Sequence, residues 1–202
     1  LGPFRRPPSA HEDGAATPLG DILFDGELRA ALELRIRFDD DRVADNTVEI
    51  HLPVVKYLFP DARLLWVRLP ADASSLEFGR ILAETAEGLG RRTVAVGSTD
   101  LTHYGPNYGF APMGSGKAAL AWVREVNDRA FLDAVLAFDA EGVLFWGEEK
   151  RAACSTGAVL GAMGYALSRG ASVSRLAAYG TSADCSPGPS FVGYGAVVFA
   201  AA

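Results

Sequence analysis

The sequence predicts an α/β fold: a mostly parallel central sheet flanked by helices, in one domain spanning 1–202. Three observations predict it. Short apolar runs at 63–69 and 92–96, the second rich in β-branched residues, read as buried strands. Segments with helical apolar spacing alternate with them, and that alternation argues for parallel strands. No internal repeat interrupts the pattern, and 202 residues suffice for one domain with a sizeable core.

Composition narrows the function classes. Hydrophobic residues make up 49% and charged residues 22%, the balance of a globular chain. The net charge of -6 offers no basic field for nucleic acid or an anionic membrane, so neither is an expected partner. No apolar run approaches the ~18 residues that span a bilayer. Cys154 and Cys185 are too few for a disulfide framework, which points to reduced thiols and a cytoplasmic setting. The chain opens on Leu1 without a signal-peptide pattern, so a trimmed start or a longer parent chain is expected.

Taken in order, residues 4–20 are rich in Pro, Arg, Gly and Ala and read as loop, with His11 solvated in it. Asp25 can cap a short helix over 26–34. The acidic run 39–45 reads as a solvated turn. Asn46-Thr47-Val48-Glu49 fits a capping box leading a helix through Ile50, His51, Leu52, Val54, Val55 and Leu58. Pro53 either kinks that helix or opens a restarted one. His51 shares a face with Val55, where a lone His is usually a hydrogen-bonded structural residue. The strand at 63–69 ends at Pro70. Ser74 or Ser75 caps the next helix, on which Leu76, Phe78, Ile81, Leu82 and Leu89 keep helical spacing up to Gly88 and Gly90.

The strand at 92–96 then runs into Gly97-Ser98-Thr99-Asp100-Leu101-Thr102-His103-Tyr104-Gly105. Ligands of open α/β sheets bind outside the carboxyl ends of strands. A His three residues after an Asp at such an end suits proton transfer or metal chemistry. The alternative is an Asp that caps the next turn beside a merely exposed His. The Gly114-Ser115-Gly116-Lys117 fragment lacks the Walker pattern. A long amphipathic helix follows over 117–138, with a break expected near Asn127-Asp128, and a short one over 140–146. Cys154 opens a helix running to Gly170, where the dipole and free N–H groups favour a thiolate. It is the candidate reactive or metal-bound cysteine; the alternative is a small residue packed under the helix. Strands at 173–179 and 190–201 flank a turn-rich stretch holding Cys185, an incidental loop thiol.

These stretches together resemble the Memo family, also called AmmeMemoRadiSam system protein B. Leu1-Gly2-Pro3 with Thr17-Pro18-Leu19-Gly20 is similar to its Leu-Gly-Pro loop and following Thr-Pro-Leu. Glu49-Ile50-His51-Leu52-Pro53 is similar to its Glu-x-His/Gln-Leu-Pro segment. Ser98-Thr99-Asp100-Leu101-Thr102-His103 resembles its Ser-Ser-Asp-x-x-His signature. Cys154 resembles its Cys-Gly helix start. Tyr179-Gly180-Thr181-Ser182-Ala183-Asp184 and Val192-Gly193-Tyr194 resemble its tail. The family is similar in fold to the class III extradiol dioxygenases (LigB-like), which are non-haem iron enzymes.

The resemblance implies a metal-centred cleft at the strand ends. His103 falls at the acid/base His with Asp100 beside it, Cys154 at a thiolate ligand, and His51, Tyr104 and Arg5 at substrate-facing positions. Fe(II) is the implied cofactor, with another divalent metal as the alternative. The departures are equally specific. The family's leading strand and first metal-binding His precede the Leu-Gly-Pro loop, where this sequence begins. Its second His ligand falls on Phe4, Arg5 and Arg6, and its Glu-His-Ser reads Asp45-Asn46-Thr47. A partner chain or a preceding segment is therefore expected to complete the metal site.

Two functions follow from the resemblance. One is an iron-dependent oxidoreductase acting on a small aromatic or catechol-like substrate. The other is a non-catalytic binding module whose cleft, with Arg5 and Arg6, takes a peptide or an anionic ligand.

Overall fold

The structure is a computed structural model and describes residues 6–10, 13–41 and 46–202. Leu1-Gly2-Pro3, Phe4, Arg5, His11 and Asp45 lie outside the described residues. The fold is α/β, and it divides into two compact units: Leu1–Pro70 with Ile81–Val94, and Ala71–Arg80 with Ala95–Ala202. Among the described residues, no helix is long and apolar enough to cross a membrane.

In the first unit, strand β1 (Pro8–Ala10) pairs in parallel with β4 (Asp39–Asp41), in the register Pro8↔Asp39. Strands β2 (Gly14–Ala15) and β3 (Ile22–Leu23) form an antiparallel pair. Helix α1 (Gly26–Glu33) starts where expected. The Asp25 carboxylate accepts from the Leu28 N–H at 3.0 Å, satisfying one of the four N–H groups a helix start leaves open. Leu28 and Leu32 carry its buried face.

Of the two alternatives at Pro53, the segment 46–59 takes the restarted helix. It is a short α2 (Asn46–Glu49), a break at Ile50 and His51, and α3 (Leu52–Leu58) with Pro53 in its first turn. Proline lacks an N–H and is tolerated there. The segment 63–69 is not a regular strand. Leu64 bridges Phe24 in parallel and Val67 bridges Ser9 in antiparallel fashion, so the neighbour changes within three residues and no ladder builds. Residues 92–96 likewise form no ladder among the described residues. Their strand character survives as alternation, with Val94 84% and Val96 73% exposed. Of the sheet pairs found among the described residues, only β1 with β4 is parallel. Helix α4 (Ser74–Gly88) begins at Ser74, whose N–H donates to the Asp72 carboxylate at 2.8 Å.

The second unit holds a three-stranded antiparallel sheet in the order β5 (His103–Tyr104), β7 (Phe191–Ala200), β6 (Val173–Thr181). Helices α5 (Lys117–Trp122) and α6 (Asp128–Leu136) are joined by a π turn over Val123–Asn127. The break expected near Asn127-Asp128 is this turn. A π turn adds a residue to the helical circuit and re-aims the faces on either side; Asn127 and Asp128 are both buried. Helix α7 (Ala140–Leu144) precedes a second π turn, and α8 (Thr156–Ser168) follows Cys154. The core gathers Leu101, Phe131, Leu132, Val135, Val143, Leu160 and Met163.

Candidate metal centre

The polar loop after residue 96 is built against α8 and β7. At Gly97 a Cβ would stand 2.4 Å from the Ala158 carbonyl oxygen, so the loop enters the site at a distance only glycine permits. Beyond it, the Leu101 N–H donates to the Gly193 carbonyl at 2.9 Å, and the Gly193 N–H donates back to the Thr102 carbonyl at 3.0 Å. The β7 strand thus continues the loop's hydrogen bonding and delivers His103 and Tyr104 as β5, in the register His103↔Val192.

The end of the loop meets the start of α8. The Cys154 N–H donates to the Asp100 carbonyl at 3.2 Å, and the Asp100 N–H donates to Cys154 Sγ at 3.2 Å. Thr99 Oγ1 lies 3.7 Å from the same sulfur and accepts from the Ser155 N–H at 3.0 Å. These contacts hold an exposed thiol in place instead of packing it under the helix. His103 Nε2 lies 3.0 Å from Asp100 Oδ2. An ionised carboxylate only accepts, so this contact places the proton of a neutral His103 on Nε2 and its lone pair on Nδ1. The His103 ring packs 4.9 Å from that of Tyr108.

Asp100, His103 and Cys154 form one cluster in which one ligand atom from each lies within 4.8 Å of the others. A cysteine thiolate is a donor that borderline divalent ions such as Fe(II) and Zn(II) accept, so Cys154 fits the metal that the resemblance implies, with Asp100 and His103 beside it. Two phenols missed in the sequence reading stand nearby. Tyr194 is pushed above the usual phenol range, first by partial desolvation of its hydroxyl and then by the charges of Asp100 and Tyr108. Their signal was weak: Tyr108 sits among glycines in a loop and Tyr194 at an exposed strand position.

Tyr104 is fully buried, stacked 5.1 Å from Phe191, with its hydroxyl donating to the Gly114 carbonyl and accepting from the Met113 N–H. His51 belongs to the first unit, exposed at the break before α3. Arg5 is outside the described residues. Cys185 is exposed just after the turn Ser182–Asp184.

The Memo-like protein family model matches residues 3–198. A MEMO1 family protein of Thermococcus onnurineus is 30% identical, covering 91% of this chain and 67% of its own length. One from Methanococcoides burtonii is 31% identical over 96% of this chain and 71% of its own. One from Methanopyrus kandleri is 30% identical over 93% and 65%. The chain belongs to the Memo family and spans about two thirds of the length of these relatives.

Proposed function

We propose that this chain is a metal-dependent oxidoreductase of the non-haem iron kind, acting on a small aromatic or catechol-like substrate. The observation that carries the reading is the convergence of Asp100, His103 and Cys154 from two separate stretches of the chain. In this reading Cys154 is a ligand of the metal, held by the Asp100 N–H before any ion arrives. A bound iron would supply redox chemistry toward oxygen and Lewis acidity toward a substrate hydroxyl. His103 takes the proton of that hydroxyl on Nδ1, since Nε2 is committed to Asp100. Asp100 orients the ring and stabilises the imidazolium that forms. The half-exposed His103 is reachable by a substrate, and Tyr108 flanks it. A preceding segment or a partner chain supplies the rest of the metal's ligands.

The test is iron content after anaerobic purification, with oxygen uptake in the presence of catechol. Iron bound by the natural chain, lost in Cys154→Ala and kept in His103→Ala, supports the assigned roles. Uptake should then fall by ~10²–10⁴ in His103→Ala. Absence of iron from the natural chain, purified together with any chain that accompanies it, overturns the reading. Iron lost in His103→Ala as well assigns His103 to the metal and overturns its proton role.

A further inference from the structure

Below the cluster lies a buried polar group that the proposed chemistry does not use. Asp128 and Thr102 are both 0% exposed and Asn127 is 1%. The Asp128 Oδ1 atom accepts from the Thr102 N–H at 3.0 Å and from the Thr102 hydroxyl at 2.5 Å. The Asn127 amide donates to that hydroxyl oxygen at 2.9 Å and to the Lys150 carbonyl at 3.2 Å. On the other side, the Tyr179 hydroxyl donates to Asp128 Oδ2 at 2.7 Å. With the Gly193 N–H on its carbonyl, Thr102 has its backbone N–H, carbonyl and hydroxyl all engaged. Space around the carboxylate is closed too: a Cβ at Gly193 would stand 2.0 Å from Asp128 Oδ2.

Thr102 precedes His103 and lies two residues after Asp100. Fixing its three polar groups fixes the 101–102 and 102–103 peptide units, the second of which carries His103, while the Leu101 N–H on the Gly193 carbonyl fixes the unit that follows Asp100. We propose that Asp128 is a positioning residue: through Thr102 it holds His103 in the geometry that commits its Nε2 to the Asp100 carboxylate. The inference rests on the reading of His103 as the site's proton carrier, but its geometry can be tested without metal. Buried polar groups orient the reactive side chains attached to them through the bonds that reach those side chains' own backbone.

The experiment is nitrogen-detected NMR of the imidazole rings in the metal-free full chain, above about pH 8 where an unperturbed His is neutral. A His103→Ala spectrum assigns the ring. The natural chain should show His103 as a single Nε2–H tautomer. Asp128→Ala and Thr102→Val should convert it to a mixture of tautomers. Thr102→Ser, which keeps the hydroxyl, should restore the single form, and so decides the matter if Asp128→Ala does not fold. Tyr179→Phe removes the bond to the far oxygen and should leave the ring unchanged. A single Nε2–H tautomer in folded Thr102→Val overturns the proposal. So does Tyr179→Phe disturbing the ring as much as Thr102→Val, because general loosening would then explain both. Iron absent from the natural chain with the tautomer pattern intact would sink the metal reading and leave the positioning role standing.

Discussion

Loop 97–105 and segment 46–59 each present a histidine beside acidic and hydroxyl residues, yet they are held differently. In the loop, Thr102 is locked beneath the surface by Asp128 and Asn127, and Asp100 exchanges two hydrogen bonds with Cys154. In the segment, Leu52 is buried, while His51, Ile50, Val54, Tyr57, Leu58 and Phe59 are exposed. A reactive histidine needs its ring held by groups that cannot relax into water. The loop supplies such groups from its buried base, whereas His51 stands exposed at the break before α3.

The largest effect that can break this contrast is on turnover. His103→Ala should lower catechol-dependent oxygen uptake by ~10²–10⁴, the usual contribution of an acid/base group. His51→Ala should lower it by less than about tenfold, since no acid/base contribution is then lost. Oxygen-electrode rates on both variants, corrected for iron content, decide between them. Equal losses would show that the exposed histidine is as engaged as the buried-anchored one, and the contrast would fail.

What the sequence made legible follows the same division. Asp100, His103 and Cys154 were readable because their chemistry is local: a polar run after a strand, and a thiol before a helix. The Asp25 cap was readable for the same reason. The anchor beneath the loop was not. Asp128 looked like a helix breaker, and only the π turn at Val123–Asn127 together with the return of β7 brings it under Thr102. Nor was the failure of the 63–69 and 92–96 runs to form regular ladders readable. Apolar, β-branched composition reports a preference for a pleated surface, whereas a ladder needs a neighbour in register.

Stability should divide the two regions next. Thr102→Val keeps the shape of the side chain but leaves Asp128 short of a donor and the Asn127 amide short of an acceptor. An unsatisfied buried polar group costs about 1–3 kcal/mol, read as a lower urea midpoint. Tyr57→Ser on α3 removes a side chain that is 75% exposed and should stay within about 0.5 kcal/mol of the natural chain. If Tyr57→Ser costs as much as Thr102→Val, the α3 surface is covered in solution and the comparison must be redrawn.

The smallest effect sharpens the picture within the second unit, where two aspartates carry opposite pH signs. Burial pushes the Asp128 carboxyl above its ordinary value of 3.8, against the hydrogen bonds from Thr102 and Tyr179 that pull it down. Asp184 lies below 3.8, chiefly through the Thr181 N–H, with the Thr181 hydroxyl and Arg124 adding to it. A carboxyl raised by folding contributes stability that is full below its unfolded pKa and is lost as pH rises through the folded one. A carboxyl lowered by folding contributes stability that is present above its unfolded pKa and is lost as pH falls through the folded one. The urea stability of the natural chain relative to Asp128→Asn should therefore decline as pH rises from the acid range. Relative to Asp184→Asn it should grow over the same rise and then level off. Added salt should shrink only the Asp184 difference, because its partner Arg124 sits where ions reach the pair. Slopes of the same sign for both variants would mean that Asp128 is not desolvated, and the buried anchor under His103 would lose its physical basis.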